Sequence, residues 1–325
     1  MPKPKVRIVA CADNFHFIKD LVSALSNEFD IEMIFTANPL CPGPKIKDLC
    51  NIDLLWLEWA DCVSIEILKT LEKFKWVFDK KIILRLHRYE LFTPRTINNL
   101  AVLSKESIGR IDRLVFVSKV VQRIGISMFP WMAFSEILPN LIDHIKFPFI
   151  NKVQGFNIMM LGRMSYVKNL PLALAMFNDL SKIDSRYKLH IVGDIADPEL
   201  GYYLQNFINK TGTENIYCHG RIDNDKLPEF MKGMSFILCS SIFESQGMGI
   251  LEAMCCGLKP LIFDFPGAEQ IFPREWLWVD FEEFREIIED DYDPKSYNNY
   301  VIDKFSIEKN IHLYKELING VLNEK

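Results

Sequence analysis

Residues 239–271 read CSSIFESQGMGILEAMCCGLKPLIFDFPGAEQI. The apolar run FILC, which leads into this stretch, predicts a buried strand that ends near Ser241. A loop containing Glu244 and Gly247 follows, and the next residues predict a helix from about Met248 to Cys256. A strand, a loop and a helix in this order are typical of a parallel sheet covered by helices, so the stretch indicates an α/β fold.

The amino terminus of that predicted helix is suited to bind an anion. Backbone N–H groups are unpaired at this end of a helix, and the helix dipole favours negative charge there. Gly247 and Gly249 let the backbone approach a ligand closely. Glu244 lies in the loop and Glu252 lies one turn inside the helix. Two carboxylates beside an anion site are suited to accept hydrogen bonds from hydroxyl groups, one carboxylate from a ribose and the other from a sugar.

Short apolar, β-rich runs alternate with amphipathic helical patterns along the whole chain. Because this alternation is typical of parallel sheets with helices on both faces, we predict two Rossmann-like domains. The candidate strands of the first half are 6–11, 31–35, 54–59, 82–86, 114–117 and 136–138. Those of the second half are 157–161, 188–192, 215–219, 236–239, 260–263 and 276–279.

The predicted domain boundary lies in the stretch LPNLIDHIKFPFINKVQGF, which follows a strand and contains two prolines. We predict one domain over residues 1–143 and a second over 152–303. Residues 304–325 contain a last helix that could pack back toward the first domain. Ligands of such sheets bind outside the carboxyl ends of the strands, so the cleft between the domains is the expected site.

Composition limits the possible functions. The length of 325 residues suits two domains of ~150 residues each. The net charge of −5 argues against a nucleic-acid partner, because such a partner calls for a basic surface. Eight cysteines without C-x-x-C spacing indicate packing thiols in a reducing compartment. No stretch reaches the ~20 apolar residues of a membrane span, so we expect a cytoplasmic protein, with peripheral contact to the inner face of a membrane left open.

A family resemblance rests on the segment ESQGMGILEAMCCGLKPLI, in which Glu244 and Glu252 are separated by seven residues. It resembles the E-x(7)-E signature of retaining glycosyltransferases of family 4 (group 1). Other segments resemble the same family in the expected order, namely VFVSK, ILPNLID, MMLGRMSYVKNLPLALAMF, LHIVGD and FPGAEQI. The resemblance implies the GT-B fold, in which two Rossmann-like domains face a cleft. The first domain is then on the acceptor side, and the second binds the nucleotide-sugar.

The resemblance also implies a role for each matching residue. Arg163 and Lys168, which follow Gly162, would bind the donor diphosphate. The chemistry agrees, since arginine supplies a forked donor and lysine a point charge. Glu252 would hold the ribose, and Glu244 would face the transferred sugar.

Further contacts to the donor are expected from backbone groups and from the first domain. The resemblance implies that the backbone near Gly247, Met248 and Gly249 contacts the sugar or the phosphates. In RLHRYELF, His87 follows a strand, where many members of the family have a histidine that contacts the donor sugar. We therefore predict Glu244 and His87 as catalytic residues. A hydrogen-bonded core histidine is the alternative reading of His87.

The implied reaction needs no cofactor and no metal. The donor would carry UDP or GDP, and the acceptor would be a glycan, a lipid-linked molecule or a small molecule. A D-x-D pair at Asp291 and Asp293 is interpreted instead as the end of a helix and a turn, because it lies between an acidic stretch and Pro294. A nucleotide-sugar 2-epimerase and a non-catalytic partner subunit remain as alternative functions.

Two segments depart from simple expectation. CADNFHF, at 11–17, lacks the glycine pair that often follows the first strand of the family, and Gln246 stands where an aromatic residue is usual. The run 64–81 mixes aromatic residues with lysines, which suits either a helix at a membrane surface or a helix that covers its own sheet. We favour the second interpretation.

Overall fold

The computed structural model of the protein describes residues 2–11, 16–36, 51–73 and 80–324. The chain divides into two compact units. The first consists of Met1–Leu141 with Ile307–Lys325, and the second of Ile142–Ser306.

A parallel sheet forms the centre of the first unit. Its strands are β1 Lys5–Cys11, β2 Asp30–Thr36, β3 Leu54–Glu58, β4 Lys81–Leu86, β5 Arg113–Phe116 and β6 Glu136–Ile137. They pair in the order β2-β1-β3-β4-β5-β6. Every residue of β3 is buried, as expected of a central strand covered on both faces. The six strands predicted in the first half of the chain are confirmed.

Helices connect these strands. They are α1 His16–Leu25, α2 Cys62–Lys73, α3 Arg88–Phe92, α4 Pro94–Ala101, α5 Lys105–Ile108 and α6 Lys119–Met128. The buried Leu68 and Leu71 of α2 agree with a helix that covers its own sheet. The aromatic residues Phe74, Trp76 and Phe78 of the run 64–81 lie outside the described residues, as does the middle of CADNFHF at 12–15.

The second unit is built around another parallel sheet. Its strands are β7 Asn157–Leu161, β8 Lys188–Val192, β9 Ile216–Gly220, β10 Phe236–Cys239, β11 Lys259–Phe263 and β12 Leu277–Trp278. They pair in the order β12-β11-β10-β7-β8-β9, so the strand order reverses between β7 and β10. Ligands of open parallel sheets bind at such a reversal, outside the carboxyl ends of the strands. All six strands predicted in the second half of the chain are confirmed.

Helices cover both faces of the second sheet. They are α7 Leu170–Ile183, α8 Pro198–Thr211, α9 Leu227–Met231, α10 Met248–Cys255, α11 Phe281–Glu289 and α12 Pro294–Phe305. One core contains Phe177 of α7 and Phe284 of α11. The other contains Leu251 of α10 and Val301 of α12.

The acidic pair Asp291 and Asp293 lies in the turn between α11 and α12. Asp293 caps α12, since its Oδ1 accepts hydrogen bonds from the backbone N–H groups of Lys295 at 3.0 Å and Ser296 at 3.2 Å. The carbonyl oxygen of Asp291 accepts a hydrogen bond from Lys259 Nζ at 3.1 Å. The predicted helix end and turn are confirmed here.

The last helix, α13 Ile307–Asn323, packs on the sheet of the first unit. Tyr314 and Ile318 are fully buried in one cluster with Leu54 of β3. The ring of Tyr314 stacks on that of Trp56, with centroids 6.0 Å apart. Within the part of the chain that the structure describes, no helix has both the length and the apolar character needed to cross a membrane.

Candidate functional site

Two turns meet at the carboxyl ends of β7 and β8. Gly162 follows β7 with a φ of 127°, and Gly193 follows β8 with a φ of 129°. Side chains rarely adopt this conformation, which favours glycine. A Cβ atom on Gly193 would lie 2.0 Å from the carbonyl oxygen of Gly162, so the backbone at Gly193 leaves no room for a side chain. This close approach fixes the turn in which Arg163, an exposed residue, directly follows Gly162.

The side chain of Lys168 lies against the first of these turns. A Cβ atom on Gly162 would be 3.1 Å from Lys168 Cε, so the glycine leaves space for the lysine. Lys168 ends a short 3-10 helix, Tyr166–Lys168. Its carbonyl oxygen accepts a hydrogen bond from Ser240 Oγ at 2.8 Å. The loop after β7 is thereby tied to the loop after β10.

An ion pair joins Lys168 to Glu244. Lys168 Nζ lies 2.7 Å from Glu244 Oε1, and Ser241 Oγ donates a hydrogen bond to the same oxygen at 2.7 Å. The side chains of Lys168 and Glu244 are 27% and 16% exposed, so solvent reaches both. The structure thus brings together two residues that lie 76 positions apart and that the sequence predicts in one site.

The amino terminus of α10 borders the same place. Gly247 is the N-cap, with a φ of 78°. A Cβ atom on Gly249 would lie 3.2 Å from Leu161 Cδ2, so this glycine lets α10 pack closely on the end of β7. A recess of about 20 Å³ is lined by Lys168, Ser241, Gly247 and Gly249, among others. A cation, Lys168, and the positive end of a helix therefore border one recess, and the carboxylate of Glu244 pairs with that cation.

Glu252 lies one turn inside α10 and is 7% exposed. The thiols of Cys255 and Cys256 are fully buried on the same helix. Burial, together with the nearby charge of Glu252, raises the pKa of Cys255 far above its usual range. These thiols are therefore neutral packing groups, as the sequence indicates.

His87, the predicted site residue of the first unit, follows β4 and is 9% exposed. Its Nε2 lies 2.6 Å from Glu58 Oε1 at the end of β3. The same oxygen accepts a hydrogen bond from Arg85 Nη1 at 3.0 Å. Arg85 Nη2 in turn donates to Asn140 Oδ1 at 2.7 Å and to the Tyr314 hydroxyl at 2.9 Å. His87 therefore belongs to a buried network that also holds α13.

Burial and charge shift the pKa values in this network. Burial is the main cause that lowers the pKa of His87, and Arg85 adds to the effect against the opposing pull of Glu58. For Glu58, burial would raise the pKa, but Arg85 and His87 together outweigh burial and hold the pKa below its usual range. The pair is therefore a neutral imidazole beside a charged carboxylate at neutral pH.

Glu90 is a second buried acid in this region. Its carboxylate oxygens accept hydrogen bonds from the backbone N–H groups of Ala60 and His87, both at 3.1 Å. Burial raises the pKa of Glu90 to about 8. The structure places Glu90 in the interior, at 0% exposure.

Sequence reasoning missed Glu58 and Arg85. The available signal was a charged residue within or directly after each of two otherwise apolar strand patterns, LLWLE and KIILRL. Charged residues are almost never fully buried without a partner, so each of these two predicts the other. Among the described residues, no group of three or more His, Cys, Asp or Glu side chains is arranged to hold a metal ion.

Comparison with models of protein families shows the family of this chain. The model of a family described as glycosyl transferases group 1 matches residues 143–319, which are 177 of the 325 residues. The chain belongs to the glycosyl transferases group 1 family.

Two curated relatives match shorter stretches. The alpha-monoglucosyldiacylglycerol synthase of Streptococcus pneumoniae is 28% identical over 100 residues, 31% of this chain and 22% of that protein. An uncharacterized glycosyltransferase of Methanocaldococcus jannaschii is 32% identical over 87 residues, 27% of this chain and 23% of that protein. The matches thus span less than a quarter of the length of either relative.

Solved structures match over nearly the whole chain. Anabaena HepE in complex with UDP and glucose has a TM-score of 0.74 at 14% identity and covers 98% of this chain and 100% of its own. The sucrose-phosphate synthase of Thermosynechococcus elongatus has a TM-score of 0.75 at 13% identity and the same coverage. A glycosyltransferase of Rickettsia africae has a TM-score of 0.74 at 16% identity and covers both chains fully. Together with the two parallel sheets, these similarities establish the two-domain, Rossmann-like GT-B fold.

Proposed function

We propose that the protein transfers a sugar from a nucleotide-diphosphate sugar, carrying UDP or GDP, to a hydroxyl group of an acceptor. The observation that carries this proposal is the ion pair of Lys168 and Glu244 beside the amino terminus of α10. A diphosphate needs cations and N–H donors, and a sugar needs acceptors for its hydroxyl groups; Lys168 and the amino terminus of α10 offer the first, and Glu244 offers the second. Family membership supports transfer and does not favour a 2-epimerase or a non-catalytic subunit.

The nucleotide end of the donor is assigned to the second unit. Arg163 and Lys168 bind the diphosphate, and Gly162 leaves the space that the Lys168 side chain occupies. Glu252, one turn along α10, accepts hydrogen bonds from the ribose. Anabaena HepE has been solved with UDP and with UDP-glucose, which makes UDP the first nucleotide to test.

The sugar end of the donor is assigned to Glu244, which accepts hydrogen bonds from sugar hydroxyl groups. The backbone near Gly247, Met248 and Gly249 contacts the sugar or the phosphates. His87 is assigned to the donor sugar as a second catalytic residue. When the donor binds, the diphosphate competes with Glu244 for Lys168, and Glu244 becomes available to the sugar.

The proposed reaction retains the anomeric configuration, as in family 4 enzymes with an E-x(7)-E signature. The bond between the anomeric carbon and the β-phosphate oxygen breaks, and a bond from that carbon to the acceptor oxygen forms on the same face. The acceptor proton passes to the departing diphosphate. Arg163, Lys168 and the positive end of α10 stabilise the negative charge that develops on the diphosphate, without a divalent metal.

The acceptor is a glycan, a lipid-linked molecule or a small molecule. One curated relative is an alpha-monoglucosyldiacylglycerol synthase, which supports placing lipid acceptors in the first panel to be tested. A lipid acceptor would bring the protein into peripheral contact with a membrane surface from the cytoplasmic side.

Incubation with UDP- and GDP-sugars, followed by nuclear magnetic resonance (NMR) of the products, tests the proposal. A transferase releases nucleoside diphosphate slowly by transfer to water and faster when its acceptor is added. An epimeric nucleotide-sugar would identify an epimerase instead. Binding of nucleotide-sugars without any product would identify a non-catalytic subunit.

A further inference from the structure

Two exposed aromatic side chains lie just past the carboxyl end of β4 in the first unit. Tyr89 is 53% exposed and Phe92 is 48% exposed, and both belong to α3. Helix residues that are three or four positions apart are neighbours on one face, so both rings share a face with Arg88. Because ligands of open parallel sheets bind outside the carboxyl ends of the strands, this face lies where a ligand is expected.

The opposite side of α3 is held firmly in the interior. Glu90 and Leu91 are buried there. The carboxylate oxygens of Glu90 accept hydrogen bonds from the backbone N–H groups of Ala60 and His87, both at 3.1 Å. Thr96 Oγ1 donates to the carbonyl oxygen of Glu90 at 2.9 Å, and the His87 side chain completes the capping box of α3. The exposed rings are therefore carried on a rigid support.

Trp59 adds a third aromatic ring at the same edge of the sheet. It directly follows β3, which pairs with β4, and the strand order of this sheet reverses between β1 and β3. Its φ of 70° is an outlier for a bulky residue, and its backbone N–H donates to the Arg85 carbonyl oxygen at 2.9 Å. Its ring centroid lies 5.4 Å from that of His87, the residue before α3. Backbone strain of this kind persists only where surrounding contacts enforce it, and it concentrates at functional sites.

The surface that follows these rings along the chain is polar. The next helix, α4, buries Thr96 and Leu100 and exposes Arg95 and Asn98. A helix that lies on a membrane needs a long apolar face, and the five residues of α3 are too few to form one. Single exposed aromatic residues are common, whereas neighbouring ones at a ligand-binding edge indicate a binding surface. The area of two rings matches a small ligand or one unit of a larger one.

The groups on this face suit a sugar ring. A pyranose has C–H groups on its faces and hydroxyl groups around its rim. The face of an aromatic ring carries partial negative charge and attracts such C–H groups. Arg88 Cζ lies 5.9 Å from the centre of the Phe92 ring, so the guanidinium N–H groups and the Tyr89 hydroxyl stand beside the rings as hydrogen-bonding groups for the rim.

We propose that the exposed face of α3, with Tyr89 and Phe92 as its stacking rings, binds a pyranose ring of the acceptor, so that the acceptor hydroxyl belongs to a carbohydrate. Trp59 borders this site at the end of β3. The inference rests on the proposed function, which requires an acceptor. It goes beyond that function by naming the chemical class of the acceptor and the residues that bind it.

Saturation-transfer difference NMR measures the binding of sugars without turnover. The probes are the methyl pyranosides of glucose, galactose, mannose and N-acetylglucosamine, each with saturating UDP. We expect transfer to the C–H protons of at least one pyranoside, lost in Tyr89→Ala and in Phe92→Ala. Glu244→Gln changes the residue assigned to the donor sugar and should leave this transfer unchanged. No transfer to any of these pyranosides, or undiminished transfer in the two alanine variants, would overturn the proposal.

Two exposed aromatic residues elsewhere in the chain provide matched controls. Phe134 is 45% exposed in the same unit, at the end of the 3-10 helix that precedes β6. Tyr202 is 80% exposed on α8 of the second unit. Phe134→Ala and Tyr202→Ala should bind the pyranosides as the unaltered protein does. Equal losses of transfer in Phe134→Ala and Phe92→Ala would overturn the proposal.

A lipid surface is the other occupant that exposed aromatic residues could serve. Sedimentation with phosphatidylglycerol vesicles tests this occupant with the same variants. Tyr89→Ala and Phe92→Ala should bind the vesicles to the same extent as the unaltered protein. Weaker vesicle binding in these variants, with pyranoside binding undiminished, would assign the face to lipid and overturn the proposal.

Turnover separates this inference from the proposed function. Phe92→Ala should raise the KM for the pyranoside that binds about three- to tenfold, because it removes one stacking ring. UDP release from UDP-glucose by transfer to water should stay unchanged in this variant. An unchanged KM for the pyranoside would overturn only the role of α3. If the unaltered protein released no UDP from UDP-glucose or any other UDP-sugar and no GDP from GDP-sugars, the proposed function would fail, while the NMR measurement would still decide whether α3 binds a sugar.

Discussion

Replacing Lys168 by alanine removes one of the two cations assigned to the donor diphosphate. A hydrogen bond to a charged group contributes about 1.5–3 kcal/mol, which corresponds to roughly a ten- to hundredfold change in affinity. Lys168 Nζ already pairs with Glu244 Oε1 at 2.7 Å. Because binding must partly break this pair, we expect the loss of UDP affinity near the lower end of that range.

The variant should remain folded, which makes the binding result interpretable. Both partners of the pair are partly exposed, and ion pairs of this kind contribute about 0–1 kcal/mol to stability. Ser241 Oγ continues to donate to Glu244 in the variant. The melting temperature of Lys168→Ala should therefore stay close to that of the unaltered protein.

Isothermal titration calorimetry with UDP measures the effect. The matched control is Lys182→Ala in the same unit, which breaks a pair with Asp179 at 2.8 Å on the outer surface of α7. Lys182→Ala should bind UDP with unchanged affinity. Unchanged affinity in Lys168→Ala, or an equal loss in both variants, would refute the assignment of Lys168 to the diphosphate.

Three further predictions follow from single residues. Glu252→Gln should mainly weaken UDP binding, measured by calorimetry, whereas Glu244→Gln should mainly lower turnover, measured as the rate of UDP release. Equal changes of UDP affinity and of turnover in the two variants would show that the roles are misassigned. Gly193→Ala should lower the free energy of unfolding by more than ~2 kcal/mol, because its Cβ would lie 2.0 Å from a backbone oxygen. In the control Gly201→Ala the Cβ would meet nothing within 4 Å, so the free energy should not fall; urea titration measures both variants, and an equal effect would contradict the prediction. Since burial raises the pKa of Glu90 to about 8, the folded state keeps a proton that the unfolded chain releases near pH 4.5, so the free energy of unfolding should fall as pH rises between these values. Glu90→Gln should remove that slope, and an unchanged slope in urea titrations at pH 5 and pH 8 would contradict the burial argument.

The strands could be predicted from the sequence because the sheets are buried on both faces. Runs such as LLWLE and FILC are nearly continuous in apolar residues, and central parallel strands require this. The boundaries of α10 were also predictable, since Gly247 ends the preceding loop with a φ of 78° that few other residues adopt.

The contacts within the candidate site could be predicted only through the family resemblance. Lys168 and Glu244 are 76 positions apart, and nothing in local periodicity brings them to 2.7 Å. The sequence did not reveal that Gly193 must be a glycine. This requirement arises because the loop that contains Gly193 lies against the carbonyl oxygen of Gly162 in a separate loop.

The buried network of the first unit was harder still to predict. Tyr314 lies 229 positions from Arg85, and their contact exists because α13 packs on the first sheet. The sequence left open whether that helix packs back, and amphipathic periodicity does not name the surface that a helix covers. Pairing between distant buried charges is a property of tertiary packing, so the sequence alone did not identify Glu58 as the partner of His87.

The most direct test of the central claim is NMR of the protein with UDP-glucose in excess EDTA. UDP-glucose is an α-linked donor, so retention predicts that UDP and α-glucose, or an α-linked product when an acceptor is present, form first. Turnover in EDTA should stay close to that of the untreated protein if Arg163, Lys168 and the amino terminus of α10 supply the positive charge, as proposed. Loss of turnover in EDTA with recovery on adding manganese, or a β-configured first product, would contradict it.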